Sequence, residues 1–174
     1  MNEFGEMIAS DTLRIERTLP GPIERVWSFL VDSDKRGRWL ASGEIDVRPG
    51  GRVHHDFHNS ALGTPDEPAP AKYARVEHEA HFVGRVLECE PPRLLSYVWG
   101  DESHVRFELT PVGDKVRLVV THSLVPNREQ ATSVAGGWHA HLDILAEVLR
   151  GAAPTGFWAR HTRLEAAYDA RLPR

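Results

Sequence analysis

The chain carries ten histidines and one cysteine. These are the side chains most suited to metal ligation, proton transfer or nucleophilic attack near neutral pH. Their spacing argues against a metal centre. His54, His55 and His58 cluster on one stretch, and His54 and His58 share its parity. They would lie about 13 Å apart along a strand rising ~3.3 Å per residue, too far to share an ion. His139 and His141 would point about 160° apart on a helix. No H-E-x-x-H or comparable ligand spacing occurs, so no metal is expected. Cys89 stands alone between Glu88 and Glu90. It can form no internal disulfide or thiolate cluster, and the flanking carboxylates disfavour its thiolate. There is no G-x-S-x-G, phosphate loop or dinucleotide fingerprint; Gly50-Gly51 reads as a turn. No cofactor is expected.

A more productive set comes from alternation. Parity places His55 and His122 on the inward face of their strands, and His141 flanks the apolar stripe of a long helix. A buried neutral imidazole can orient a ligand by hydrogen bonding or act as an acid or base. It can equally be a core histidine satisfied by a backbone or tyrosine partner. Trp39, Phe57, Tyr97, Trp99, Phe107 and Trp138 are expected to converge on the same space, joined by Leu118, Leu142 and Leu145. Such a set either fills a core or lines a pocket for a flat or hydrophobic molecule. These twelve residues are the candidate ligand-binding set.

The elements that must position them can be read from period and punctuation. Residues 12–18 alternate as a strand. Pro22 suits the first position of a helix whose apolar face is Ile23, Val26, Trp27 and Leu30, and a second short helix follows from Asp32. Strands are expected at 43–48 and 52–58, divided by Pro49-Gly50-Gly51. Residues 59–79, with Pro65, Pro68 and Pro70, read as a long, mobile connection. Further strands follow at 80–89, 93–99, 103–110 and 115–123. Asn127 can cap a helix over 128–150 that ends at Gly151. That helix, ~35 Å long, carries Val134, Trp138, Leu142, Leu145 and Leu149 on one stripe, with His139, Asp143 and Glu147 opposite. A short helical extension over 155–172 would place His161, Leu164 and Tyr168 on one side. The order β-α-α-β-β-β-β-β-β-α-α predicts an α+β fold: an antiparallel sheet of about seven strands with the long helix on its apolar face.

The 174 residues suit a single domain, 1–174, with its core in 12–150. A hydrophobic share of 41% and a charged share of 26% are those of a soluble globular protein. The net charge of −4 gives no reason to expect nucleic acid. No apolar run is long enough for membrane insertion, and the N-terminus has acidic residues and no apolar signal region. A cytoplasmic location is therefore expected.

Four segments occur in register: R-I-E-R-T-L-P-G-P-I-E-R-V-W-S-F-L (14–30), D-V-R-P-G-G-R (46–52), G-R-V-L-E-C-E-P-P-R-L-L-S-Y-V-W (84–99) and G-W-H-A-H-L-D-I-L (137–145). Together they resemble the homologues of the activator of heat-shock-protein-90 ATPase, in the START-like (SRPBCC, birch-pollen-allergen-like) superfamily. The resemblance covers roughly 12–150. It implies a helix-grip fold, a curved antiparallel sheet around the long C-terminal helix with a cavity between them. Fold does not fix function in this superfamily. The leading expectation is binding of a small hydrophobic or aromatic molecule in that cavity. One alternative is an enzyme of cyclase, dehydratase or hydrolase type, with His55, His122 or Tyr97 moving protons. Another is a stress-related protein-interaction module. A homodimer is compatible with all three.

Overall fold

A computed structural model describes residues 3–63, 67–75, 80–100 and 102–174. Seven strands form one antiparallel sheet: β1 (Glu6–Ala9), β2 (Thr12–Pro20), β3 (Arg52–Asp56), β4 (His81–Glu90), β5 (Leu94–Val98), β6 (His104–Val112) and β7 (Lys115–Ser123), in the spatial order β1-β2-β7-β6-β5-β4-β3. Helices α1 (Ile23–Val31) and α2 (Ser33–Gly37) fill the connection from β2 to β3. Helix α3 (Arg128–Leu149) lies against the sheet, and α4 (Phe157–Arg171) packs on α3. This is the helix-grip arrangement.

The alternating strands put their apolar residues on one face, as period-2 patterning requires. In β2, Leu13, Ile15 and Leu19 are buried, and they pair with His122, Val120 and Val116 of β7. In β6, Val105, Phe107 and Leu109 lie opposite His122, Val120 and Leu118. These residues face α3 and make the centre of the core. Arg17 also occupies this face. Its guanidinium donates to Asp143 of α3 at 3.1 Å and to the Glu3 and Glu16 carbonyls, so the buried charge is paired.

Three local expectations are corrected. The run 43–48 does not form a strand; only Ser42 and Ile45 make isolated bridges, to Asp56 and Val53. The Gly43 carbonyl is taken by the Arg36 guanidinium, and Gly43 has φ +117°, which breaks the extended run. The seventh strand is instead β1, too short and exposed to show alternation. Pro22 is the residue before α1 rather than its first.

Helix α3 starts where expected, with the Asn127 side chain accepting from the Gln130 N–H. It is buried on two sides, not one. Fourteen of its 22 residues are buried, among them His139 on the face expected to be polar. Helix α4 covers that face. Gly136 permits the approach, since a Cβ there would meet the Glu165 backbone at 3.2 Å. His161, Leu164 and Tyr168 of α4 are buried, as the spacing predicts.

Within the expected connection 59–79, residues 64–66 and 76–79 lie outside the described residues. The described part is tied to α4. Trp158 Nε1 donates to Ser60 Oγ, the Tyr73 ring stacks on Trp158 at 5.4 Å, and both Lys72 and Tyr73 hydrogen-bond Glu165.

Candidate functional site

The aromatic and histidine candidates meet at the β3–β4–β5 side of the sheet. Tyr97 is brought there by antiparallel pairing with Val86 and Val105, and His55 by pairing with Phe82. The His55 ring centroid lies 4.8 Å from Phe82, 5.4 Å from Tyr97, 5.8 Å from Trp99 and 5.9 Å from Phe57. Trp99 in turn contacts His122 and Trp138, and Trp138 meets Phe107 edge-on at 5.6 Å. Edge-to-face contacts dominate, the arrangement that ring quadrupoles favour.

Each histidine in this cluster is held by partners that set its tautomer. His55 Nδ1 donates to its neighbour's carbonyl, His54 O, at 3.0 Å, which leaves Nε2 to accept from the Tyr97 hydroxyl at 2.8 Å. Burial lowers the His55 pKa to about 3, the nearby Arg36 charge adds to this, and the bond to His54 O works against it. Burial raises the Tyr97 pKa. The pair is therefore neutral at pH 7. His122 Nδ1 accepts from Trp138 Nε1 at 2.9 Å, so its Nε2 carries the proton and donates to Ser103 Oγ at 2.7 Å. His141 Nδ1 donates to the Trp39 carbonyl at 2.7 Å; burial brings its pKa to about 4, partly offset by that bond.

These groups sit behind an open cleft of about 560 Å³, within the range of small-molecule sites. Phe57, Phe82 and Trp99 form its aromatic floor, and Asn59, Arg75, Ala80 and His81 complete its lining. Phe82 is seated over Gly100, where a Cβ would come within 2.4 Å of the Phe82 Cβ.

Of the twelve candidate residues, Phe57 and Trp99 reach the cleft. His55 and Tyr97 lie directly behind its floor. Trp39, Phe107, Leu118, His122, Trp138, His141, Leu142 and Leu145 are buried, none more than 6% exposed, and pack between sheet and helix. Phe82, Asn59, Arg75, Ala80 and His81 were missed by sequence reasoning. Phe82 alone had a signal: it shares parity with the buried Val86. The others flank or lie within a connection without period.

Among the described residues, no three His, Cys, Asp or Glu side chains converge as a metal site would need. No helix there is long and apolar enough to cross a membrane.

The whole fold recurs in solved structures. A protein of Bordetella parapertussis is 44% identical, with a TM-score of 0.82 over 99% of this chain and 92% of that one. CalU16 of Micromonospora echinospora is 25% identical, with a TM-score of 0.64 over 91% of this chain and 86% of its own. DynU16, from the dynemicin biosynthetic locus, shares the fold at 21% identity and a TM-score of 0.62, over 83% of this chain and 49% of its own. Among curated proteins, none matches the chain significantly. The span from the end of β2 to the C-terminus of α3, residues 20–150, matches the family described as activator of Hsp90 ATPase homolog 1-like protein, and the chain belongs to that family.

Proposed function

We propose that the protein binds a hydrophobic or aromatic small molecule in the cleft between β3, β4 and the end of β5. The observation that carries this is the floor of the cleft. Phe57, Phe82 and Trp99 are only partly buried, yet they touch one another and leave their free surface toward the cleft space. Covering aromatic surface with a flat ligand removes it from water and gains ring contacts. The buried network of His55, Tyr97, His122 and Trp138 fixes the floor from behind, so the site is largely formed before binding.

Titration with the neutral dye Nile red tests the reading. Saturable one-to-one binding is expected, with affinity at least tenfold weaker in Phe82→Ser. Equal affinity in a folded Phe82→Ser variant would place the dye elsewhere and remove the cleft as the site.

A second reading, proton-transfer catalysis on the bound molecule, is favoured by the His55–Tyr97 pair. A neutral imidazole with a free-electron-pair nitrogen facing a hydroxyl 2.8 Å away can relay a proton. The readings separate on a ligand recovered by native mass spectrometry. Returned to fresh protein, it stays unchanged under the binding reading; conversion that is lost in His55→Gln marks the enzyme.

A further inference from the structure

Residues 3–9 are tied to the helices through one hydroxyl. The Gly5 N–H donates to Tyr168 Oη at 2.7 Å, and the same oxygen lies 2.9 Å from His139 Nδ1. Tyr168 and His139 are both buried. The direction of these bonds follows from what each atom can carry. Tyr168 Oη accepts from Gly5, so its single proton needs an acceptor. His139 Nε2 faces the Asp143 carboxylate at 3.6 Å, which places the ring proton on Nε2 and leaves the Nδ1 lone pair for Tyr168. Donation therefore runs from Gly5 through Tyr168 to a neutral His139. A proton on Nδ1 turns the last acceptor into a donor and strands the Tyr168 proton in a buried site.

Charged groups from every neighbouring element bear on this ring. Asp143 of α3 is shared among His139, Arg17 of β2 and Arg160 of α4. Burial is the largest influence and lowers the His139 pKa to about 4; Arg17, Arg160 and Arg163 act in the same direction, and Glu3 opposes them. Burial also raises the Tyr168 pKa, so the hydroxyl keeps its proton. The other ties of the segment are few. Arg17 Nη1 donates to the Glu3 carbonyl at 2.8 Å, Phe4 lies edge-on to His139 and Tyr168, and the Arg171 guanidinium sits 3.8 Å over the Phe4 ring. Strand β1 pairs with β2 at three positions, with a register shift between Met7 and Ala9.

We propose that residues 3–9 form an acid-released strap: a proton on His139 breaks the Tyr168 link, the Gly5 anchor lets go, and β1 leaves the sheet, so that the nine-residue β2 becomes its free edge. The sign follows from linkage. Under the strap the ring is desolvated and resists its proton; with the strap lifted it reaches water and its ordinary value of 6.5. The strap is held fully above pH 6.5 and loosens as pH falls toward 4. Between pH 7.5 and 5.0 the ratio of open to closed strap rises by at most about 30-fold.

Amide hydrogen exchange read by mass spectrometry, corrected for the intrinsic effect of pH on exchange, tests this on the full chain. From pH 7.5 to 5.0, residues 5–9 should lose about tenfold or more of their protection. Residues 103–123 should stay far better protected, which reports an intact fold. His139→Asn puts an amide oxygen in the place of Nδ1, an acceptor that does not titrate, and should keep the strap closed at both pH values. Tyr168→Phe removes the link and should leave the strap open at both. Melting curves at pH 7.5 establish which variants fold; if His139→Asn does not, Tyr168→Phe decides alone. The strap is overturned if protection of residues 5–9 in the parent is the same at both pH values. It is equally overturned if residues 5–9 exchange at the rate of 103–123, or if a folded variant keeps the parent's pH response.

Discussion

Mild acid should destabilise this protein well above the pH at which carboxylates titrate. His55, His139 and His141 are buried, and burial lowers their pKa values to about 3, 4 and 4, from an ordinary value of 6.5. Because the folded values lie below the unfolded one, the unfolded chain binds more protons as pH drops. Stability is full above the unfolded pKa and is lost as pH falls through 6.5 toward the folded values. Between pH 7.5 and 5.5, each such imidazole costs the folded state about 1.4 kcal/mol. His139 has Asp143 at 3.6 Å, which tempers its share. The three together should remove about 3–4 kcal/mol, a large part of the 5–15 kcal/mol typical of a domain. The carboxylates held low by ion pairs, Glu16 and Glu165 among them, act only at more acid pH. Urea unfolding followed by tryptophan fluorescence at pH 7.5, 6.5 and 5.5 measures the effect. His141→Asn, whose amide nitrogen takes the place of Nδ1 and can still donate to the Trp39 carbonyl, should remove about a third of the pH dependence. A loss below about 1 kcal/mol in the parent protein would refute the desolvation of these rings.

Trp138→Ala should cost about 3–5 kcal/mol, since it empties the contact among Phe107, His122 and Trp99 at the centre of the helix–sheet interface; a urea titration showing under 1 kcal/mol would contradict that placement. Gly100→Ala should drive Phe82 off its seat, lowering stability by about 1–3 kcal/mol and weakening Nile red binding together. Unchanged melting temperature and dye affinity would show that Phe82 does not rest on Gly100.

The inward face of the sheet was legible because alternation reports it directly. Phe107 sits among charged neighbours in β6, so its direction was fixed by parity, and it does face Trp138. The same logic found His122, which shares its face of β7 with Val116, Leu118 and Val120. The outer face of α3 was misread for a related reason. A helical wheel shows where polar residues fall, but not whether another helix lies over them. His139 is polar and still buried, because Tyr168 of α4 reaches it. The Gly5 N–H donates to the Tyr168 hydroxyl at 2.7 Å, and that hydroxyl pairs with His139 Nδ1 at 2.9 Å. One hydroxyl thereby joins the N-terminal segment, α3 and α4, a contact between residues 163 positions apart that no local pattern contains.

The cleft was half legible, and the missing half has a physical cause. Phe57 and Trp99 were found because each follows the period of a strand. Phe82 follows one too, but its place opposite His55 depends on the register of β3 against β4. A tight hairpin would have encoded that register in its turn residues. Here the strands are joined by a long connection whose side chains pack on α4, so the register is set by tertiary contacts such as Tyr73 against Trp158. Asn59 and Arg75 belong to that same connection. No period marks them, and only the folded chain shows that they line the same cleft as the aromatic residues. The apolar half of the site is therefore written in strand periodicity. The rest of its lining is written in how one irregular segment docks on the C-terminal helix.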